Sequence, residues 1–302
     1  MLAIIAPGQG SQTPGMLTTW IADPALEKLL AQWSKDIDLD LVRLGTTADA
    51  DEIKDTANAQ PLIVATSLLA AHALGVKDFS VTSGHSVGEL TSAALCGAIS
   101  NRDALKLVRA RGIEMAKAAA QSPAGMSAIL GGERSEVLAA IKYLGLVAAN
   151  ENGGGQIVAA GDLRALSTLA TNPPAGARVR ALPVTGAFHT SYMSSAITPL
   201  TALASSIATS TPSFPFISNK DGVAVRDGAE ILMRIVNQIA NPVRWDLCMD
   251  TLKTMGVTGV IELAPAGTLV GLLKRAAPQI ESFALKSATD LDSAREFAER
   301  HR

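Results

Sequence analysis

Cysteine is nearly missing from this chain. Its two copies, Cys96 and Cys248, lie far apart, which excludes a disulfide framework and a clustered thiolate metal site. Aromatic residues make up only 4%, and no apolar run reaches membrane-spanning length. Neither sign of charge dominates, with 26 Lys and Arg against 28 Asp and Glu, so nothing points to a nucleic-acid protein and any basic surface has to be local. The apolar start Met1–Ala6 lacks the length and basic flank of a secretory signal. The expectation is a cytoplasmic protein that needs no metal and no resident cofactor. What the chain has in quantity is aliphatic residues. At 302 residues and 48% hydrophobic, it can bury a large core, in one body or in a body with a smaller inserted unit.

The most informative stretch is Val81-Thr-Ser-Gly-His-Ser-Val-Gly-Glu-Leu90. A short β-branched run leads into Gly84-His85-Ser86-Val87-Gly88, and a small-residue helical pattern follows. This is the G-x-S-x-G elbow in the strand–turn–helix context that the motif requires. The turn strains the serine backbone, the flanking glycines avoid collisions, and the hydroxyl sits at the positive end of a helix. A glycine-rich turn with a serine N-cap would carry the same letters. The rest of the chain therefore has to supply a base, an oxyanion site and a substrate handle.

In chain order, Leu2–Ala6 reads as a strand buried on both faces, as in a parallel sheet. It ends in the loop Pro7-Gly8-Gln9-Gly10-Ser11-Gln12, which is not a phosphate-binding Walker loop because no Gly-Lys-Ser/Thr follows. Asp23–Trp33 and Ala57–Leu74 are helical. Ser100 and Asn101 cap a helix over 102–120 whose apolar stripe contains Ala104, Leu107, Val108, Met115 and Ala118. Arg111 falls in the middle of that stripe. A guanidinium facing the core needs an anion, and either an internal carboxylate or a substrate carboxylate satisfies it. Residues 124–185 then read β-α-β-β-α-β, a ferredoxin-like unit inserted between 1–123 and 186–302. Asn150-Glu-Asn152-Gly-Gly-Gly155 forms its central hairpin loop. Of the four histidines, His189, in a loop after Gly186-Ala187-Phe188, is the best candidate base. The helix Ala229–Ile239 has to end near Gln238 because Asn241-Pro242 starts the next, over 243–255. One of its last carbonyls is then free to accept an imidazole N–H. Gly259–Leu263 is a strand, and a final helix runs through Arg275.

Taken together, PGQGSQ at 7–12, GHSVGE at 84–89, Arg111-Gly112, GAFH at 186–189, NPVRW at 241–245 and APAGTL at 264–269 resemble the malonyl-CoA:acyl carrier protein transacylase family of bacterial fatty-acid synthesis. The motifs come in that family's order over almost the whole chain. The resemblance implies an α/β-hydrolase-like parallel-sheet body with an inserted ferredoxin-like subdomain. It implies Ser86 as nucleophile, His189 as base, the Gln238 main-chain carbonyl as the group orienting the imidazole, and the backbone N–H groups of Gln9 and Val87 as an oxyanion hole. Arg111 would bind the malonyl carboxylate, with Met115, Phe188 and Asn152 as further substrate-binding residues. Acyl carrier protein and a coenzyme A thioester would be the partners of a monomer, and Lys220, Arg244, Lys274 and Arg275 are candidates for a basic rim. A serine esterase or thioesterase is the rival enzyme reading, although its histidine would come late, after an acid. A non-catalytic scaffold is the rival from another class.

Overall fold

The computed structural model describes residues 1–184 and 186–302; Thr185, the expected last residue of the inserted unit, lies outside them. Its strands are β1 (Leu2–Ala6), β2 (Val81–Gly84), β3 (Ala124–Gly131), β4 (Val147–Gly153), β5 (Gln156–Asp162), β6 (Ala177–Ala181), β7 (Phe216–Ile217), β8 (Ala224–Val225), β9 (Val243–Arg244), β10 (Gly259–Glu262) and β11 (Glu281–Ala284). They form two sheets in a mixed α/β architecture, ordered β11-β10-β1-β2-β7-β8 and β6-β3-β5-β4-β9.

The first sheet is parallel from β11 to β7, and only β8 runs antiparallel to its neighbour. All five residues of β1 are buried. Leu2 and Ile4 join one hydrophobic cluster while Ala3 and Ile5 join another. Alternate residues therefore feed cores on opposite faces, which is why β1 reads as a continuous apolar run rather than an alternating one.

Two long helices, Thr56–Leu74 and Asn101–Ala119, pack against each other under the site. Pro61 lies inside the first and cannot donate to the carbonyl of Ala57 one turn back. Arg109 Nη1 takes that acceptor at 2.9 Å. At the same level Gly112 lets the helices touch, since a Cβ there would lie 2.8 Å from the Thr56 carbonyl oxygen. This crossing places Arg111 beside Gln60.

In the second sheet β3, β4, β5 and β6 are antiparallel, with the helices Arg134–Tyr143 and Leu163–Thr171 on the β3–β4 and β5–β6 connections. Ile129, Ile157 and Ala159 pack in a separate small core, whereas Met126, Ala128, Val158 and Ala160 face the main one. Period-2 alternation thus gives this sheet one face for itself and one for the cleft.

Some elements differ from the sequence expectation. The helix expected over 243–255 starts at Trp245, because Val243 and Arg244 pair with Asn150 and Glu151 of β4. The helix ending near Arg275 (Thr268–Ala276) is not the last, since β11 and the helix Leu291–His301 follow. That last helix buries only Ala294, Phe297, Ala298 and His301, too thin a stripe to stand out in the sequence. His301 is correspondingly a buried ring, 3.1 Å from Thr258 Oγ1. After His189 the chain forms a 3₁₀ turn, Ser191–Ala196, continued by the helix Ile197–Ala204.

Candidate active site

Strand β2 ends at Gly84 and the next helix begins at Gly88, leaving three residues to reverse the chain. Ser86, at the tip, has φ 53°. A Cβ on Gly84 would lie 2.1 Å from the Gly88 carbonyl carbon, and one on Gly88 2.3 Å from the Ala6 carbonyl oxygen. No side chain fits at either place. Asn219 clamps the turn, accepting the Ser86 backbone N–H at Oδ1 (2.7 Å) and donating from Nδ2 to the Gly84 carbonyl (2.8 Å).

His189 reaches the same point from the chain segment that follows β6. Its backbone also has positive φ, 62°, and its N–H donates to the Ile239 carbonyl at 3.0 Å. The ring Nε2 lies 2.7 Å from Ser86 Oγ and Nδ1 lies 2.8 Å from the Gln238 carbonyl oxygen. A carbonyl only accepts, so Nδ1 carries the proton and Nε2 presents its lone pair to the serine hydroxyl. Burial, reinforced by the nearby Arg111 charge, pushes the His189 pKa down to about 3. The imidazole is therefore neutral, with the Nε2 lone pair free to accept the serine proton as charge develops.

Arg111 is 2% exposed. Its Nη1 donates to Gln60 Oε1 at 2.7 Å, and its Nη2 donates to Gln238 Oε1 at 2.9 Å and approaches Ser86 Oγ at 3.5 Å. Nε has no partner among the described residues. Two neutral amide oxygens hold the guanidinium, and among the described residues no carboxylate forms an ion pair with it. Burial lowers its pKa to about 10, leaving the charge in place at neutral pH, with Glu89 as a more distant counter-charge.

Ser86 and His189 open into a cavity of about 270 Å³ whose lining also includes Gln9, Gln60, Met115, Asn152 and Phe188, with Arg111 directly behind Gln60 and Ser86. The backbone N–H groups of Gln9 and Val87 meet no protein acceptor among the described residues. Met115 lies under Gln60, whose Nε2 is 3.5 Å from its sulfur. Asn152 accepts from His85 Nε2 at 2.8 Å and donates to Gln156 at 2.8 Å, tying β4 and β5 to the elbow. Burial holds the His85 pKa below its ordinary value. Among the described residues no cluster of His, Cys, Asp or Glu could hold a metal ion, and no helix is long and apolar enough to cross a membrane.

Sequence reasoning did not single out Gln60, Glu89 or Asn219. Gln60 stands just before Pro61 in a first turn that also carries Thr56 and Asn58, so nothing in the sequence separates it from them. Glu89 sits in the quoted GHSVGE motif and is 1% exposed. Burial pushes its pKa up to about 8, yet both of its oxygens face N–H donors, so its ionised form is the one the geometry satisfies. Asn219 belongs to a turn sequence with no outward sign of its inward side chain. Of the proposed rim, Arg244 is bound to Asp246 at 2.8 Å, and Lys220 lines a different cavity, beside Arg234 and Met233.

Comparison with known proteins fits this geometry. The acyl transferase domain family matches residues 4–295. The chain is 51% identical to the malonyl CoA-acyl carrier protein transacylase of Mycobacterium bovis over 298 residues, 97% of this chain and 98% of the relative. The chain belongs to this family of acyltransferases. An Escherichia coli member is 31% identical over 304 residues, covering 97% of this chain and 98% of its own. Among solved structures, the Mycobacterium tuberculosis MCAT superposes with a TM-score of 0.94 at 51% identity, covering 97% of this chain and 99% of the other. A malonyl-transacylase in complex with a type II PKS acyl-carrier protein superposes with a TM-score of 0.92 at 30% identity, covering 98% and 99%.

Proposed function

We propose that this acyltransferase moves a malonyl group from malonyl-CoA to the phosphopantetheine thiol of acyl carrier protein through a malonyl-Ser86 intermediate. The observation that carries the proposal is Arg111, a buried guanidinium that lies 3.5 Å from the serine hydroxyl and has no carboxylate bound to it among the described residues. Such a fork fits an acyl group that ends in a carboxylate, and it disfavours one that would leave the charge buried and unpaired.

In the first half-reaction Ser86 Oγ attacks the thioester carbon while His189 Nε2 takes the hydroxyl proton. The tetrahedral oxyanion is held by the Gln9 and Val87 N–H groups, each worth roughly a hundred- to a thousandfold in rate. The C–S bond breaks, and His189 returns its proton to the coenzyme A sulfur. In the second half-reaction the phosphopantetheine thiol attacks the ester, its proton passing through His189 to Ser86 Oγ. The Gln238 carbonyl keeps the ring in one tautomer throughout. Met115 and Phe188 wall the acyl site.

The same proposal covers a monomer serving cytoplasmic fatty-acid biosynthesis, as the resemblance implies. It treats 1–123 with 186–302 as an α/β-hydrolase-like body and 124–185 as a ferredoxin-like subdomain. The order β6-β3-β5-β4, with a helix on each β-α-β connection, supports the second description, and the parallel β10-β1-β2 with the elbow after β2 supports the first.

Intact-mass spectrometry tests the function. Brief incubation with malonyl-CoA should add one malonyl group, and holo acyl carrier protein should remove it. Absence of the adduct, together with rapid hydrolysis of p-nitrophenyl esters, would move the assignment to the esterase reading.

A further inference from the structure

The Gln238 side chain stands between the two halves of the site, and something has to decide which way its amide faces. Its Nε2 is ringed by acceptors: Glu89 Oε2 at 2.5 Å, Asn219 Oδ1 at 3.1 Å and the Ser86 carbonyl at 3.2 Å. Its Oε1 meets a donor, Arg111 Nη2, at 2.9 Å. Of the three acceptors, two belong to groups already engaged elsewhere. Asn219 Oδ1 accepts the Ser86 N–H, and the Ser86 carbonyl accepts from Glu89 N. Glu89 supplies the shortest contact and the only formal charge. Its other oxygen, Oε1, accepts the Asn219 backbone N–H at 2.6 Å, so the carboxylate itself is fixed.

We propose that Glu89 is a positioning residue for recognition of the acyl group's carboxylate. It touches no substrate. By holding Gln238 Nε2 it turns Gln238 Oε1 toward Arg111 and keeps the guanidinium aimed at the space above Ser86. The inference rests on the malonyl reading above. With the amide reversed, an NH₂ group would face a guanidinium, donor against donor, and the fork would have to move away. A carboxylate at position 89 is suited to prevent this because it accepts at both oxygens. A neutral amide there would oppose one N–H donor with another, at Asn219 or at Gln238.

Two variants of the full chain test this, each assayed with malonyl-CoA and with acetyl-CoA. Glu89→Gln keeps the volume and loses the obligatory acceptor. It should lower kcat/KM for malonyl transfer by roughly ten- to a hundredfold, the range of one hydrogen bond to a charged group, and lower acetyl transfer much less. Gln238→Met removes the amide but keeps the main-chain carbonyl that orients His189. It should lower the malonyl-to-acetyl ratio as well, and adding Glu89→Gln to it should change the ratio no further. Equal loss of both transfers in Glu89→Gln, or a full Glu89→Gln effect persisting in the Gln238→Met background, would overturn the inference. If Glu89→Gln does not fold, an unchanged malonyl-to-acetyl ratio in Gln238→Met overturns it alone. Malonyl loading of the unmodified enzyme, measured in parallel, separates failure of this inference from failure of the functional reading.

Discussion

Ser86 and His189, 103 residues apart in the chain, meet at 2.7 Å, and both hold left-handed backbone conformations, with φ of 53° and 62°. Among the described residues only Asp38 shares that property without being glycine. The strain is placed at the two groups between which the proton moves, and it is sustained by the Asn219 clamp on one side and the Ile239 and Gln238 carbonyls on the other. Ser86→Ala should abolish the malonyl adduct while keeping the strained backbone. Ser86→Gly should be equally inactive but more stable than Ser86→Ala by about 1 kcal/mol, because glycine accepts positive φ freely. Thermal melts of the two variants check this, and a lower melting temperature for the glycine variant would contradict it.

Arg111→Ala removes the fork but leaves Ser86, His189 and the oxyanion donors untouched. Malonyl transfer should fall by about a hundredfold or more, as expected for loss of a buried bidentate charge contact. Acetyl transfer should hold or rise, since no unpaired guanidinium remains beside the shorter acyl group. Parallel kcat/KM measurements decide the matter, and a proportionate loss of both activities would count against the pairing.

The position of the His189 pKa, near 3, has a kinetic signature. An ordinary imidazole would lose half its base form near pH 6.5. Here the base form should persist well below that, so modification of Ser86 by a neutral reagent such as phenylmethylsulfonyl fluoride should keep its rate down to about pH 5. The sign for stability is opposite in character. Between pH 6.5 and 3 the unfolded chain binds this proton and the folded chain does not, so acidification through that window weakens the fold. An inactivation rate that halves near pH 6.5 would show that the ring is less buried in solution than the structure places it.

Much of the site was legible because its chemistry depends on letters with few substitutes. Gly84 and Gly88 are forced by contact distances, Arg111 stood out as a charge on an apolar stripe, and Pro242 marked where the Gln238 helix had to stop. The β-α-β-β-α-β order within residues 124–181 is legible in the sequence, although Asn150–Gly153, expected in the hairpin loop, belong to β4, whose register is irregular there. What the sequence does not mark is held by long-range hydrogen bonds. Asn219 bonds to residues 133 and 135 positions away, and nothing local marks it. Gln60 and Glu89 are ordinary helix residues until the fold buries them. Strand β9 looks helical in the sequence because its two residues run directly into the helix from Trp245, and their strand character comes from pairing with β4. Strand β11 and the last helix escaped because a short half-buried edge and a four-residue stripe leave little periodicity.

The mouth of the cavity bears on the partner. Helix Thr268–Ala276 presents Thr268, Leu269 and Leu272 to the cavity and carries exposed Lys274 and Arg275 in its last turn. Neither cation takes part in an ion pair among the described residues. Arg275 lies against Gly154 of the β4–β5 hairpin, where a Cβ would meet its own Cβ at 3.1 Å, so the charge stands at the seam between the two sheets. An acidic carrier domain delivering its phosphopantetheine arm beside this helix would meet these charges. Rim charges act mainly on association and its salt dependence. The double charge reversal Lys274→Glu with Arg275→Glu should therefore raise KM for the carrier protein by roughly three- to tenfold, with kcat little changed. Raising salt should raise that KM for the unmodified enzyme and much less for the variant. Loading of Ser86 from a malonyl thioester of N-acetylcysteamine, which lacks the nucleotide phosphates, should be the same in both. A carrier-protein KM that ignores both salt and charge reversal would place the docking surface elsewhere.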